Sequence, residues 1–216
     1  AGMDMHMHGV KFPEAVVALV EEGTLPLSRV NEACKKILTA KFKLGLFENR
    51  TVDLNTIKDK IFTTEHQQVA LETAQKGIVL LKNKGLLPLE KTTFKKRILV
   101  TGPNANNQTI LGDWHSAQPE ENVITIFVGL KQVGNQNGYE VEFFDSGENI
   151  RKIKDKAIET AAQKAKDFDY AIVVVGDNSM RYRWKDKTAG ENMGRAALDL
   201  PGKQLALVKA IKATGT

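Results

Sequence analysis

Glu191 stands between Gly190 and Asn192, four residues before Arg195 and shortly after a strand-like apolar run, Asp169–Gly176 (DYAIVVVG). A helix-like run follows Gln204, so the segment Thr188–Gln204 (TAGENMGRAALDLPGKQ) reads as a loop joining a strand to a helix. Open α/β sheets bind their ligands beyond the C-terminal ends of parallel strands. A carboxylate in that place can serve as a general acid or base, and otherwise it is a surface charge. Arg195 could orient Glu191, contact a substrate, or pair with Glu191 or Asp199. A guanidinium close to Glu191 would lower its pKa, which works against an acid role. Arg181, Tyr182, Arg183 and Trp184 form a polar and aromatic run just before the loop. They could line a ligand subsite or form a plain loop. Trp114, after Gly112 and Asp113, reads as a core tryptophan or as a ring offered to a ligand.

Other residues with chemical potential point elsewhere. His6 and His8, at i and i+2, lack a Cys, Asp or Glu set at metal-site spacing, so surface or local packing is expected and no metal site. The single cysteine, Cys34, rules out an internal disulfide. It lies in an amphipathic helical pattern and is expected to be a buried small hydrophobe, not a nucleophile. Gly102, Pro103 and Asn104 follow a strand, but neither GxGxxG nor GxxxxGK[ST] is present, so no nucleotide cofactor is expected. The net charge of +5 is modest for 216 residues, and the lysines are spread along helix-like segments such as Arg151–Lys166. That distribution suits a solvated face and argues against a nucleic-acid partner. No apolar run reaches membrane-spanning length, which argues against a membrane partner.

The elements that must position Glu191 are legible as patterns. Phe12–Gly23 reads as a short helix with Pro13 in its first turn. Ser28 is expected to cap a long helix over Arg29–Leu44, ended by Gly45. Residues 46–62 carry no sustained period. Thr64 and Gln67 suggest a capping box for a helix through Lys76. Four strand-like runs follow: Gly77–Leu81 (GIVLL), Arg97–Thr101, Glu140–Phe144 and Tyr170–Val175. Helices are expected over Thr125–Gly134, Arg151–Lys166 and Gly202–Ala213. Continuous Val/Ile/Leu runs alternating with amphipathic helices predict an α/β fold, a mostly parallel open sheet flanked by helices. The preceding helical part, about 50 residues, cannot bury a core of its own. Both ends read as cut: no initiator Met opens the chain, and Lys209–Thr216 runs from a helix into a Gly turn where a strand should follow. We expect one piece of a longer protein.

Five segments together resemble glycoside hydrolase family 3, the β-glucosidase and β-xylosidase family. Ala1–Met7 (AGMDMHM) resembles the family's AGxDMxM segment near the end of its (β/α)8 barrel. Arg29–Phe47 (RVNEACKKILTAKFKLGLF) resembles the helix closing that barrel. His66–Leu89 resembles the start of the second domain, and Ile98–Asn104 (ILVTGPN) with Gly112–Trp114 (GDW) its first βα loop. Thr188–Gln204 resembles the loop carrying the acid/base glutamate in many members. The resemblance implies that residues 1–50 end a (β/α)8 barrel domain, 51–63 link, and 64–216 form an α/β sandwich domain truncated at its C-terminus.

The implied function is release of terminal non-reducing β-linked glucosyl or related residues by a retaining double displacement. That reaction needs two carboxyl groups about 5–5.5 Å apart, one attacking the sugar and one acting as acid and then base. The resemblance gives Glu191 the acid/base role. The family nucleophile lies in an SDW-like segment upstream of AGxDM, so it is expected outside this chain. Asp4 is then a structural residue at the last barrel strand. The chain alone should be inactive and should need the missing barrel domain of the same protein. Trp114 falls where a family GGW segment places a sugar-stacking Trp, although Asp113 replaces the second glycine here. Trp114, Arg195, Arg181 and Trp184 are the expected substrate-binding residues, with an oligosaccharide or β-glucoside as substrate and no cofactor. A periplasmic or secreted location goes with the resemblance. The alternative is a non-catalytic carbohydrate-binding or structural α/β module.

Overall fold

A computed structural model describes residues 2–91, 93–179 and 183–216. The chain divides into two compact units, Ala1–Leu81 and Lys82–Thr216. The first holds helices α1 (Phe12–Glu21), α2 (Leu27–Lys43), α3 (Ile57–Lys60) and α4 (Thr64–Gly77). Pro26, with φ fixed near its ring-imposed value, sets the entry to α2. Ser28 therefore lies inside the first turn instead of capping it. Helix α4 is capped by Thr63, one residue before the expected Thr64: its hydroxyl accepts the His66 amide at 3.3 Å. Gln67 donates its side-chain amide to Phe62 O at 3.2 Å.

No described residue of this unit belongs to the buried hydrophobic core. A few helices without a covering layer cannot enclose a side chain. Cys34 is accordingly exposed, against the expectation of burial. Asp4 is in no strand; its carboxylate takes Arg29 at 2.7 Å and Lys36 at 3.0 Å and so ties the opening segment to α2. The hydrogen bonds from Lys36 and Arg29 hold that carboxyl below its ordinary value. His6 stacks on Phe12, with ring centroids 4.2 Å apart.

The run Gly77–Leu81 is not a strand. Gly77 ends α4, and Ile78 through Leu81 are 63–92% exposed. An apolar β-branched run becomes a strand only where a neighbour accepts its hydrogen bonds. Among the described residues, it pairs with no strand.

The second unit holds the sheet. Its strands are β1 (Lys96–Thr101), β2 (Tyr139–Phe144) and β3 (Tyr170–Val173), parallel and in the order β2-β1-β3. Helix α5 (Ile126–Gln136) crosses from β1 to β2, α6 (Asp155–Ala165) from β2 to β3, and α7 (Gln204–Lys212) follows the long loop after β3. Thr125 caps α5 through the Val128 amide at 3.2 Å. Alternation along β1 sends its side chains to opposite faces. Leu99 packs with Ile158, Ala161 and Ala165 of α6 and Leu207 and Ile211 of α7. Ile98 and Val100 pack with Val141 and with Phe127 and Leu130 of α5. Burying each of these larger side chains contributes roughly 1.5–3 kcal/mol. The connection leaving β1 runs to one neighbour, β2, and the next crosses back over β1 to the other, β3, which creates a switch point between β1 and β3. That is where an open α/β sheet leaves a crevice at its strand ends. Among the described residues, no helix is long and apolar enough to cross a membrane.

Candidate active site

The loops after β1 and β3 meet at this switch point. At the end of β1, Gly102 has φ +109, and a Cβ there would run into the Val174 carbonyl. The glycine serves the close approach of the two strand ends. Beyond it the loops are cross-linked. Asn178 donates its side-chain amide to Asn104 Oδ1 at 2.7 Å. Its backbone amide donates to Thr188 Oγ1 at 3.0 Å, and its carbonyl accepts the Thr188 amide at 2.9 Å. Ser179 Oγ donates to Gly112 O at 3.2 Å. A cavity of about 310 Å³ lies between these loops, lined by Asn104, Thr109, Asp113, Asp177 and Asn178 together with apolar Ile110 and Ile126.

Two residues fasten the loop from below. Gln204, fully buried, accepts the Gly176 amide at 2.8 Å and donates to the carbonyls of Gly176 (3.0 Å) and Pro201 (3.1 Å). Lys187, also fully buried, pairs with Asp113 at 2.9 Å and donates to the Glu191 carbonyl at 2.9 Å. Asp113 in turn accepts the Glu191 amide at 2.8 Å. Gly190 has φ +93, and a Cβ there would fall 2.5 Å from Asp113 Oδ2, so only glycine lets the carboxylate come this close.

Glu191 is exposed, on a loop held through its backbone. A carboxylate so placed can give or take a proton from a molecule lying over the strand ends. Trp114 is exposed, at 73%, so it is not a core tryptophan. Trp184 is also exposed, with the Lys187 ammonium 4.4 Å from its ring centre. Arg195 pairs with Asp177 and not with Glu191; its other terminal nitrogen donates to the carbonyls of Ala197 (3.0 Å) and Asp199. It fastens the far side of the loop to the end of β3. Arg181 lies outside the described residues. Among the described residues no three His, Cys, Asp or Glu side chains are placed to hold a metal ion.

Sequence reasoning missed Lys187 and Gln204 and noticed Asp113 only as a replaced glycine. Lys187 sits in RYRWKDK, which reads as a solvated charge run, and its partner is 74 positions away. A larger cavity of about 550 Å³ lies in the first unit between the opening segment, α1 and α2. Its lining is mostly apolar, and its one carboxylate, Asp4, is held by two cations.

Residues 78–216 match the family model of the glycosyl hydrolase family 3 C-terminal domain. A β-xylosidase of Formosa agariphila is 35% identical over 86% of this chain and 25% of its own length. A periplasmic β-glucosidase of Salmonella typhimurium is 27% identical over all of this chain and 30% of its own. The crystal structure of a β-glucosidase from Listeria innocua in complex with glucose superposes with a TM-score of 0.78 and 28% identity, covering all of this chain and 28% of that one. The chain thus spans between a quarter and a third of the length of these relatives.

Proposed function

Because the chain belongs to glycosyl hydrolase family 3, we propose that it supplies the acid/base half of a β-glycosidase, with Glu191 as the acid/base residue. The protein carrying it releases terminal β-linked glucosyl or related residues by a retaining double displacement. The supporting observation is the position of Glu191: an exposed carboxylate beyond the C-terminal end of β3, on a loop tied at the switch point to the loop after β1 through Asp113. Asp113 and Asp177, the neighbouring carboxylates of this crevice, are each paired with a cation, Lys187 and Arg195. The second catalytic carboxylate is therefore assigned to the rest of the protein, and residues 1–50 to the end of the barrel that bears it.

The chemistry follows from that division. Glu191 in its acid form donates a proton to the glycosidic oxygen as the nucleophile attacks the anomeric carbon. As carboxylate it then takes a proton from the water that releases the sugar. Trp114 and Trp184 offer exposed aromatic faces to the sugar's apolar C–H face. Arg195 holds the loop and reaches substrate only with what its Asp177, Ala197 and Asp199 bonds leave. A β-glucoside or oligosaccharide substrate is supported by the glucose complex of the Listeria relative. A location outside the cytoplasm is supported by the Salmonella relative's periplasmic description.

The test is Glu191→Gln in the full-length protein. Turnover of an alkyl β-glycoside should fall by about 10²–10⁴-fold, with loss of the alkaline limb of the kcat/KM profile. Unchanged turnover would remove Glu191 from the mechanism.

A further inference from the structure

The buried Lys187 ammonium is the meeting point of two loops that are far apart in sequence. Its Nζ lies 2.9 Å from Asp113 Oδ1 and 3.0 Å from Asp113 Oδ2. The same nitrogen donates to the Glu191 carbonyl and lies against the Trp184 ring. Asp113 Oδ2 accepts the Glu191 amide. Both backbone polar groups of Glu191 are therefore held by one ion pair, the N–H by its anion and the C=O by its cation. The Lys187 carbonyl is itself fixed, accepting Arg151 Nη2 at 3.2 Å.

We propose that Asp113 and Lys187 are positioning residues that aim the Glu191 carboxyl at the glycosidic oxygen. The proposal rests on the acid/base reading of Glu191. An ion pair is a poor way to stabilise a buried contact, because its desolvation offsets most of its attraction. It is a good way to fix a loop, because it sets direction as well as distance. Glu191 has an exposed side chain on an irregular segment, and a free loop would spread its carboxyl over many positions. A displacement of about 1 Å at a reacting group can cost roughly 100-fold in rate. Lys187 also couples the loop to Trp184, so the acid and one proposed sugar platform move as a unit. Gly190 completes the arrangement, since any side chain there would press on the Asp113 carboxylate.

The test separates proton donation from the rest of catalysis. The full-length enzyme is assayed on an alkyl β-glycoside, whose alcohol must be protonated to leave, and on the 2,4-dinitrophenyl β-glycoside, whose phenolate leaves unaided. Asp113→Asn and Lys187→Met should lower kcat/KM about 100-fold on the first substrate and less than about threefold on the second. Glu191→Gln, run beside them, should show the same selectivity more strongly. Should Glu191→Gln show no such selectivity, the acid/base reading itself fails. Should it show the selectivity while the Asp113 and Lys187 variants lose activity equally on both substrates, or keep it on both, only the positioning role is overturned. Gly190→Ala, which leaves both charges in place, decides the matter if those variants do not fold. It should reproduce the selective loss at about tenfold, and an unselective effect would overturn the positioning role.

Discussion

Replacing Gln204 by Met should open the loop after β3 while leaving the sheet intact. The substitution nearly keeps volume and removes three hydrogen bonds: Gly176 N–H to Oε1, and Nε2 to the carbonyls of Gly176 and Pro201. Each bond contributes roughly 1 kcal/mol net, and groups left unpaired out of water cost about 1–3 kcal/mol each. Gly176 is half-buried, so water can reach part of what is lost. Allowing for that puts the cost near 3 kcal/mol, about a hundredfold in a local opening equilibrium. Hydrogen exchange on the intact protein reads this residue by residue. The Gly176 amide should exchange about 100-fold faster, and the Thr188 and Ala189 amides, which bond to Asn178 O, should follow it. Leu99 and Val100, in the middle of β1, should keep their protection. Equal acceleration at Leu99 would mean that Gln204 supports the whole unit. No acceleration at Gly176 would refute the clamp.

Leu207→Ala, by contrast, should damage the unit as a whole. Leu207 is fully buried against Leu99 and Ile158, so the loss is about 2–5 kcal/mol and shows as a lower thermal midpoint of this unit. Trp114→Ala should raise KM about tenfold with kcat little changed, the signature of lost uniform binding. Loss of kcat instead would assign the ring to the transition state. The Asp186 carboxyl is held below its ordinary value of 3.8 by hydrogen bonds from Lys152 and then Asn149. A depressed folded-state pKa contributes stability that is present above the unfolded value and lost as pH falls through the folded one. Asp186→Asn should therefore flatten the stability loss of the parent below about pH 4, measured by acid denaturation.

Strands β1 and β3 could be read from sequence as compact runs rich in Val, Ile and Leu, and β2 as a short run of Val and Phe interleaved with Glu. The helix expected over Thr125–Gly134 forms over Ile126–Gln136, with Thr125 as its cap and not its first turn. The run Ile78–Leu81 has the same composition and is no strand, because composition does not say whether a pairing edge is free. Cys34 followed a correct helical period into a wrong conclusion about burial: periodicity names the apolar face but not whether anything covers it. The position of Glu191 beyond a parallel strand was legible from the order of elements. What holds it was not. Lys187 and Asp113 belong to different loops, and a lysine within a charge-rich run carries no local sign of burial. Gln204 opens α7 as polar residues often do, and only the fold turns its amide inward onto Gly176. Arg195 was placed in the right loop, but its partner, Asp177, lay outside the pairings that spacing suggested.

We propose Glu191 as the acid/base of a retaining β-glycosidase. The full-length Glu191→Gln protein, given a 2,4-dinitrophenyl β-glycoside and sodium azide, tests it most directly. The glycosyl-enzyme should accumulate without azide and be released with it, and the product should be the β-glycosyl azide by proton NMR coupling. An α-glycosyl azide would identify Glu191 as the nucleophile instead, and full turnover without azide would remove it from the chemistry.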